Sequence, residues 1–243
     1  MSSIPFDPSR FTAPKARPLP VVLLLDVSGS MSGDKILHLN HAVRDMLETF
    51  RDTATSETEI SVAIITFGAQ VTLHQKLTSA ADIEWNDLSA RGSTPLGVAL
   101  QMAKAMFEDK DVVPSRAYRP TVVLVSDGQP DSGWEEPMQQ FISDGRSAKC
   151  DRMAMAVGAD ADEAVLGKFI AGTSRELFYA ANAGQLKAFF KFVTMSVTMR
   201  TQSQTPNAVP DASAIDVKPA TIDARPAKHD DIAQTADDDG GYW

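Results

Sequence analysis

The fold of this chain is decided by Leu23-Leu24-Leu25-Asp26-Val27-Ser28-Gly29-Ser30-Met31-Ser32-Gly33, where an apolar run ends in a carboxylate followed by two alternating hydroxyls. The apolar run begins at Val21, and turn residues follow it. Such a run is typical of a strand buried on both faces of a parallel sheet. Ligands of an open α/β sheet bind beyond the carboxyl ends of its strands. We therefore expect Asp26, Ser28 and Ser30 to reach a ligand crevice.

The donors that this stretch offers are all oxygen atoms. They are the carboxylate of Asp26 and the hydroxyls of Ser28 and Ser30. Oxygen-only donor sets suit hard divalent cations such as Mg²⁺ or Mn²⁺ better than zinc. The stretch therefore predicts a magnesium or manganese site.

Composition limits the class of protein. A chain of 243 residues indicates one domain of about 200 residues with tails. A net charge of −9 argues against a nucleic-acid-binding surface, which requires a basic face. The single cysteine, Cys150, excludes an internal disulfide and a cysteine-cluster zinc site, and we interpret it as a packed small residue. With neither a signal-peptide pattern nor an apolar run of roughly 20 residues, a soluble cytoplasmic protein is expected, without membrane partners.

Apolar runs alternate with segments of helical spacing along the chain. This alternation predicts an α/β fold, a Rossmann-like, doubly wound, mostly parallel sheet flanked by helices. The predicted strands are 21–25, 60–67, 121–125, 150–157 and 176–179, with 71–73 as a short hairpin partner of the second. The predicted helices are 34–50, 96–107, 133–147, a short helix that ends near 170, and 183–197. The stretch 160–163 supplies an N-terminal cap and an acidic first turn for the fourth helix, and Asn182 caps the fifth.

Composition also divides the chain into three parts. Residues 1–18 form a proline-rich N-terminal arm, and residues 19–202 form the domain. Residues 203–243 contain eight aspartates against two lysines and one arginine, so they carry −5 of the net charge. Because this last part has almost no apolar periodicity, we predict a disordered acidic tail.

Two more residues join the opening stretch in the predicted fold. Asp127 follows the strand 121–125, which repeats the pattern of a buried run ending in a carboxylate. Thr94 precedes Pro95, and proline is favoured at the first position of a helix, so we expect Thr94 to cap the helix that follows. Because Asp26 and Asp127 end strands that flank the point where strand order reverses, they are expected to converge.

These residues resemble the metal-ion-dependent adhesion site of von Willebrand factor A domains. That site combines an Asp-x-Ser-x-Ser strand end, a later threonine and a still later aspartate, and all five positions are present as Asp26, Ser28, Ser30, Thr94 and Asp127. The resemblance spans about residues 19–200 and implies that the three hydroxyls bind a metal, with the two aspartates acting directly or through water. Gly92-Ser93-Thr94, where Gly-Gly-Thr is commoner, and Ser126 in place of threonine are mild departures that keep every ligand.

Within that family the chain resembles the short TerY-like proteins of tellurite-resistance loci. The similar stretches are 29–33, 38–40, 63–68, 92–97, 126–130 and 189–193. This resemblance implies a metal-dependent protein–protein interaction module in stress or defence signalling, which scaffolds a Ser/Thr kinase and a PP2C-type phosphatase. A partner's Asp or Glu would complete the metal shell.

Enzyme functions fit the sequence less well. Met31 occupies the position that a nucleophile elbow gives to serine, and the glycine–lysine pattern of a phosphate-binding loop is not satisfied. The alternative that stays open is a Mg²⁺-dependent phosphatase with an aspartyl-phosphate intermediate on Asp26. Such enzymes resemble Asp-x-Asp, whereas position 28 is serine, so we expect no enzyme activity.

Overall fold

A computed structural model describes residues 16–53, 58–127 and 129–221. Within these ranges the chain forms six strands and five α-helices. Their order is β1 (Arg17–Asp26), α1 (Asp34–Asp52), β2 (Thr58–Phe67), β3 (Val71–Ser79), α2 (Leu96–Glu108), β4 (Thr121–Ser126), α3 (Glu135–Ser143), β5 (Asp151–Val157), α4 (Glu163–Ile170), β6 (Phe178–Ala180) and α5 (Ala183–Thr201).

The strands form one sheet in the order β3-β2-β1-β4-β5-β6. Strands β2, β1, β4, β5 and β6 run parallel, and β3 pairs with β2 in the antiparallel direction. The strand order reverses beside β1, which lies between β2 and β4. The predicted α/β fold with a mostly parallel, doubly wound sheet is confirmed.

Strand β1 is buried on both faces, as its continuous apolar run predicts. Leu23 and Leu25 pack into the core that α1 and α5 cover, whereas Val22 and Leu24 pack into the core that α2, α3 and α4 cover. Neighbouring side chains of a strand point to opposite faces, so a strand covered on both sides is apolar at every position. The opening stretch thus anchors both layers of helices.

Several element boundaries differ from the sequence prediction, and the largest differences are in β3 and α3. Strand β3 extends to Ser79, well beyond the predicted 71–73. The prediction was too short because β3 is an edge strand whose partly exposed residues form no apolar run. Helix α3 ends at Ser143 rather than 147, because Asp144 is extended and Gly145 has a φ of +69°, which lies outside the right-handed helical region. Within the predicted capping stretch 160–163, Asp162 is the cap of α4, and Asn182 caps α5 as predicted. Each accepts a hydrogen bond from the backbone N–H three residues on, at 3.1 and 3.0 Å.

Residues 203–221, assigned to the tail from composition, pack on the domain. The Pro206 carbonyl accepts a 2.7 Å hydrogen bond from the buried guanidinium of Arg200, and Ile215 lies in the core beside α1 and α5. Ala220 accepts from Tyr179, and Thr221 forms an antiparallel bridge with Phe178 at the edge of β6. The remaining predicted tail, 222–243, and residues 1–15 of the arm lie outside the described residues.

No helix in the described part of the chain combines the length and the apolar character needed to cross a bilayer. The single cysteine, Cys150, is a free thiol that is fully buried directly before β5, as expected for a packed residue.

Candidate metal centre

The candidate site lies where β1 and β4 leave the sheet side by side. Leu25 pairs with Val125 in parallel register, so the residues after them, Asp26 and Ser126, emerge next to each other. The helices after these strands cover opposite faces of the sheet, α1 on one face and α3 on the other. This geometry defines the switch point at which doubly wound sheets bind ligands.

Asp26 is fully buried, and both of its carboxylate oxygens accept hydrogen bonds. Oδ1 accepts from the backbone N–H of Ser28 at 2.8 Å, and Oδ2 accepts from the hydroxyl of Ser126 at 2.6 Å. Burial raises the pKa of Asp26, while the hydrogen bonds from Ser126 and Ser28 act in the opposite direction. A bound cation would compensate the cost of keeping this carboxylate charged.

Ser28, Ser30 and Asp127 form a chain of hydrogen bonds across the switch point. The hydroxyls of Ser28 and Ser30 lie 2.9 Å apart, and the Ser30 hydroxyl donates to Oδ1 of Asp127 at 2.7 Å. Ser30 lies within a short 3₁₀ turn over Gly29–Met31, and Ser28 directly precedes this turn. Ser30 thus contacts both Ser28 and Asp127, and Asp26 joins them through the backbone of Ser28.

Lys35 supplies a positive charge to the same group of oxygens. Its ammonium forms an ion pair with Oδ2 of Asp127, whose side chain is fully buried. Lys35 lies in the first turn of α1, directly after the loop that carries Ser28 and Ser30. The site therefore already accommodates a cation at one of its carboxylates.

The loop before α2, which carries Thr94, is hydrogen-bonded to the start of the serine loop. The Gly92 carbonyl accepts a 2.9 Å hydrogen bond from Gly29 N–H, and Arg91 N–H donates to the carbonyl of Val27 at 2.7 Å. Thr94, two residues after Gly92, is buried. No hydrogen bond joins its hydroxyl to the other four predicted ligands among the residues that the structure describes.

The prediction that Thr94 caps α2 is wrong. The helix begins at Leu96, and the cap position belongs to Pro95, whose φ of −75° and ψ of 58° are those of an inverse γ-turn. The Thr94 carbonyl accepts the 2.8 Å hydrogen bond from Leu96 N–H that closes this turn. Proline fixes φ but leaves ψ free, so its favoured place in a first helical turn did not determine the boundary.

Sequence reasoning missed three residues that organise the site. Ser126 holds Asp26, Lys35 holds Asp127, and Asp131 fixes the Thr94 loop through hydrogen bonds from Ser93 Oγ at 2.7 Å and Thr94 N–H at 3.2 Å. The signal for Ser126 was its position, because it directly precedes a strand-end aspartate. Nothing in the sequence pattern singled out Lys35 or Asp131.

The residues fit a hard divalent cation. Their donors are carboxylate and hydroxyl oxygens, which Mg²⁺ and Mn²⁺ prefer. Over the described ranges, no group of three or more His, Cys, Asp or Glu side chains is placed to hold a metal, so a site must use hydroxyls as well. The stand-in cation at Asp127, the ammonium of Lys35, shows that positive charge is accepted at this point.

Comparison with known families supports the fold assignment. The family model of the von Willebrand factor type A domain matches residues 21–192. No curated protein matches the chain in sequence.

Several solved structures are similar at low identity. The ArnB paralog VWA2 from Sulfolobus acidocaldarius is 17% identical with a TM-score of 0.56 over 73% of this chain and 46% of that chain. A von Willebrand factor type A protein from Catenulispora acidiphila is 20% identical with a TM-score of 0.57 over 76% and 43%. Proximal thread matrix protein 1 from the mussel byssus, solved with a zinc-occupied MIDAS motif, is 20% identical with a TM-score of 0.57 over 75% and 46%. The chain therefore spans less than half the length of these structures.

Proposed function

The chain belongs to the von Willebrand factor type A domain family, and on that premise we propose that it is a metal-dependent protein–protein interaction module. One observation carries the proposal. The hydroxyls of Ser28 and Ser30 and the carboxylate of Asp127 form a continuous hydrogen-bonded chain beside the buried Asp26, at the switch point of the sheet. Carboxylate and hydroxyl oxygens are the donors that a hard cation prefers, which supports the proposal.

Five residues would hold the metal. The hydroxyls of Ser28, Ser30 and Thr94 are neutral ligands, and the carboxylates of Asp26 and Asp127 balance its two charges directly or through water. We infer Mg²⁺ or Mn²⁺ from the oxygen donors, although the mussel byssus protein was solved with zinc in its motif. The metal supplies a Lewis acid for a carboxylate, so a partner's Asp or Glu would complete its shell.

We propose that the protein is not an enzyme. An aspartyl nucleophile needs an accessible oxygen, whereas Asp26 is fully buried and donors engage both of its oxygens. Position 28 carries a serine, so the second acid of an Asp-x-Asp phosphatase site is missing there. These contacts favour a role in orienting the serine loop.

The finer biological role rests on the TerY-like resemblance alone. We infer a cytoplasmic module of the tellurite-resistance type, acting in stress or defence signalling as a scaffold for a Ser/Thr kinase and a PP2C-type phosphatase. Co-purification with these two proteins, lost when the metal is chelated, is the expected result. Retention of both proteins in excess EDTA would contradict a metal-dependent scaffold.

The central test compares wild type with Asp26→Ala in affinity capture, with Mg²⁺ and with EDTA. Wild type should retain acidic partners only with Mg²⁺, and Asp26→Ala should retain none. Glu48→Gln, which removes an exposed carboxylate of α1, is the matched control and should behave as wild type. If Asp26→Ala in EDTA captured as much partner as wild type does with Mg²⁺, the metal-dependent module would be refuted. Turnover of a phosphomonoester that Asp26→Asn abolishes would establish the enzyme instead.

A further inference from the structure

A cavity lies at the amino-terminal end of the parallel strands, where β4 and β5 begin. It has a volume of about 550 Å³. Arg119 and Pro120, before β4, and Arg146 and Lys149, before β5, form part of its wall, and Asn207 closes it from the segment after α5. Because β1 and β4 run parallel, this end of the sheet is opposite to the end at which Asp26 and Asp127 lie.

All the charged side chains that line this cavity are cationic: Arg119, Arg146 and Lys149. Among the described residues none of the three forms a salt bridge with a carboxylate. The whole chain carries a net charge of −9. An uncompensated group of three cations in so acidic a protein calls for an anion from outside the domain.

Backbone carbonyls hold the two guanidinium groups. Arg146 donates to the carbonyls of Phe107 and Pro114, and Arg119 donates to the carbonyl of Cys150 at 3.4 Å. These bonds fix the positions of the arginines but leave their charge unneutralised. Within the described part of the chain, Nε of Arg119 is buried without a hydrogen-bond partner, so this guanidinium has an unused donor.

Nearby carboxylates are engaged elsewhere. Glu108 accepts from the backbone N–H of Arg146 at 2.6 Å and lies 3.9 Å from the ammonium of Lys104. Asp151 accepts two hydrogen bonds from Arg175, at 3.0 and 2.9 Å. In the part of the chain that the structure describes, no carboxylate therefore forms an ion pair with the cavity cations.

We propose that this cavity binds a phosphate-bearing ligand. Two fixed guanidinium groups and an ammonium match the doubly charged, multi-acceptor phosphate better than a carboxylate, which carries one charge. The side chains of Phe107, Val113 and Tyr118 give the same cavity an apolar and aromatic wall for an organic substituent. The site is separate from the candidate metal centre, so its ligand binds without a divalent cation.

Calorimetric titration of the full chain in EDTA tests the proposal, with inorganic phosphate, phenyl phosphate and benzoate as probes. Both phosphates should bind, and benzoate should bind more weakly than phenyl phosphate. Because a charge-assisted hydrogen bond is lost, Arg119→Gln should weaken phosphate binding at least about tenfold. Lys149→Gln changes an exposed side chain that the fold does not need and should also weaken binding.

Two controls keep the outcome interpretable. Lys76→Gln removes an exposed cation of β3, outside the cavity, and should leave phosphate binding unchanged. Asp26→Asn should bind phosphate as wild type does, since it alters only the metal centre. Absence of heat with either phosphate at millimolar concentration, or equal affinity of wild type and folded Lys149→Gln, would overturn the proposal. Tighter binding of phenyl phosphate than of inorganic phosphate identifies a phosphomonoester ligand, and equal binding identifies free phosphate.

Discussion

The ammonium of Lys35 lies on Oδ2 of Asp127, while Ser30 donates a 2.7 Å hydrogen bond to Oδ1 of the same carboxylate. The first turn of α1 is thus tied to the end of β4 by an ion pair with one buried partner. In the proposed function, Asp127 contacts a divalent cation directly or through water. The ammonium and the metal would then compete for one carboxylate, because two cations repel at this distance.

We expect Lys35→Gln to bind Mn²⁺ and Mg²⁺ more tightly than wild type, by about three- to tenfold. The gain is limited because the Lys35 side chain is 35% exposed and solvent screens its charge. Isothermal titration calorimetry at low and high salt measures the effect, and Lys76→Gln should titrate like wild type. Weaker metal binding by Lys35→Gln would show that the ammonium supports the site.

The affinity of Asp26→Asn for divalent metal is expected to be at least about tenfold lower than that of wild type, while the domain stays folded. The amide keeps the volume of the carboxylate and one acceptor for Ser126 or Ser28, but it lacks the negative charge. Titration with Mn²⁺ and a thermal melt without metal measure the two effects separately. Binding at the wild-type level would remove Asp26 from the proposed ligand set.

The sheet could be predicted because its strongest signals are local. Strand β1 is apolar at every position from Val21 to Leu25, which only burial on both faces explains, and polar strand ends at Asp26 and Asp127 mark the crevice. The sequence pattern therefore predicted the topology and the convergence of two distant loops. The topology and the convergence of the loops both depend on which strands are buried, and the apolar pattern of the sequence indicates that burial.

The parts that escaped prediction depend on backbone geometry and long-range polar contacts. The γ-turn at Pro95 follows from ψ, which the proline ring does not fix. Asp131 holds the Thr94 loop from a separate segment, and Pro206 and Ala220 join the domain through their carbonyl oxygens. A carbonyl is the same in every residue, so composition cannot indicate that residues 203–221 pack on the domain.

Cys150 is expected to resist alkylation in the native protein. Burial raises the pKa of its thiol from 9.0 to about 12, so the reactive thiolate is scarce at pH 8. Between these pKa values the folded state binds more protons than the unfolded state, and the free energy of unfolding therefore falls as the pH rises. Iodoacetamide labelling followed by intact mass should be negligible without denaturant and complete with it. Rapid native labelling at pH 8 would contradict a buried neutral thiol.

Gly92→Ala should destabilise the domain more than Gly172→Ala. Both glycines have positive φ, +86° and +77°, so both variants carry a strain of about 1–2 kcal/mol. A Cβ at Gly92 would also overlap the backbone of Ala69, whereas nothing lies within 4 Å of one at Gly172. Each kcal/mol lowers the melting temperature by about 2–4 °C in a domain of this size, so thermal melts should separate the two variants. Equal melting temperatures would mean that the Ala69 segment moves aside freely.

Ile215→Ala tests whether residues 203–221 belong to the folded domain. Ile215 is 1% exposed and packs in the core beside α1 and α5, so removing its side chain leaves a cavity worth about 2–4 kcal/mol. The melting temperature should fall by at least about 4 °C. Leu37→Ala is the control, since Leu37 is 55% exposed on α1 and its loss should cost within about 0.5 kcal/mol. A melting temperature for Ile215→Ala equal to that of wild type would contradict this packing, because shortening a side chain that is not buried in the core leaves no cavity.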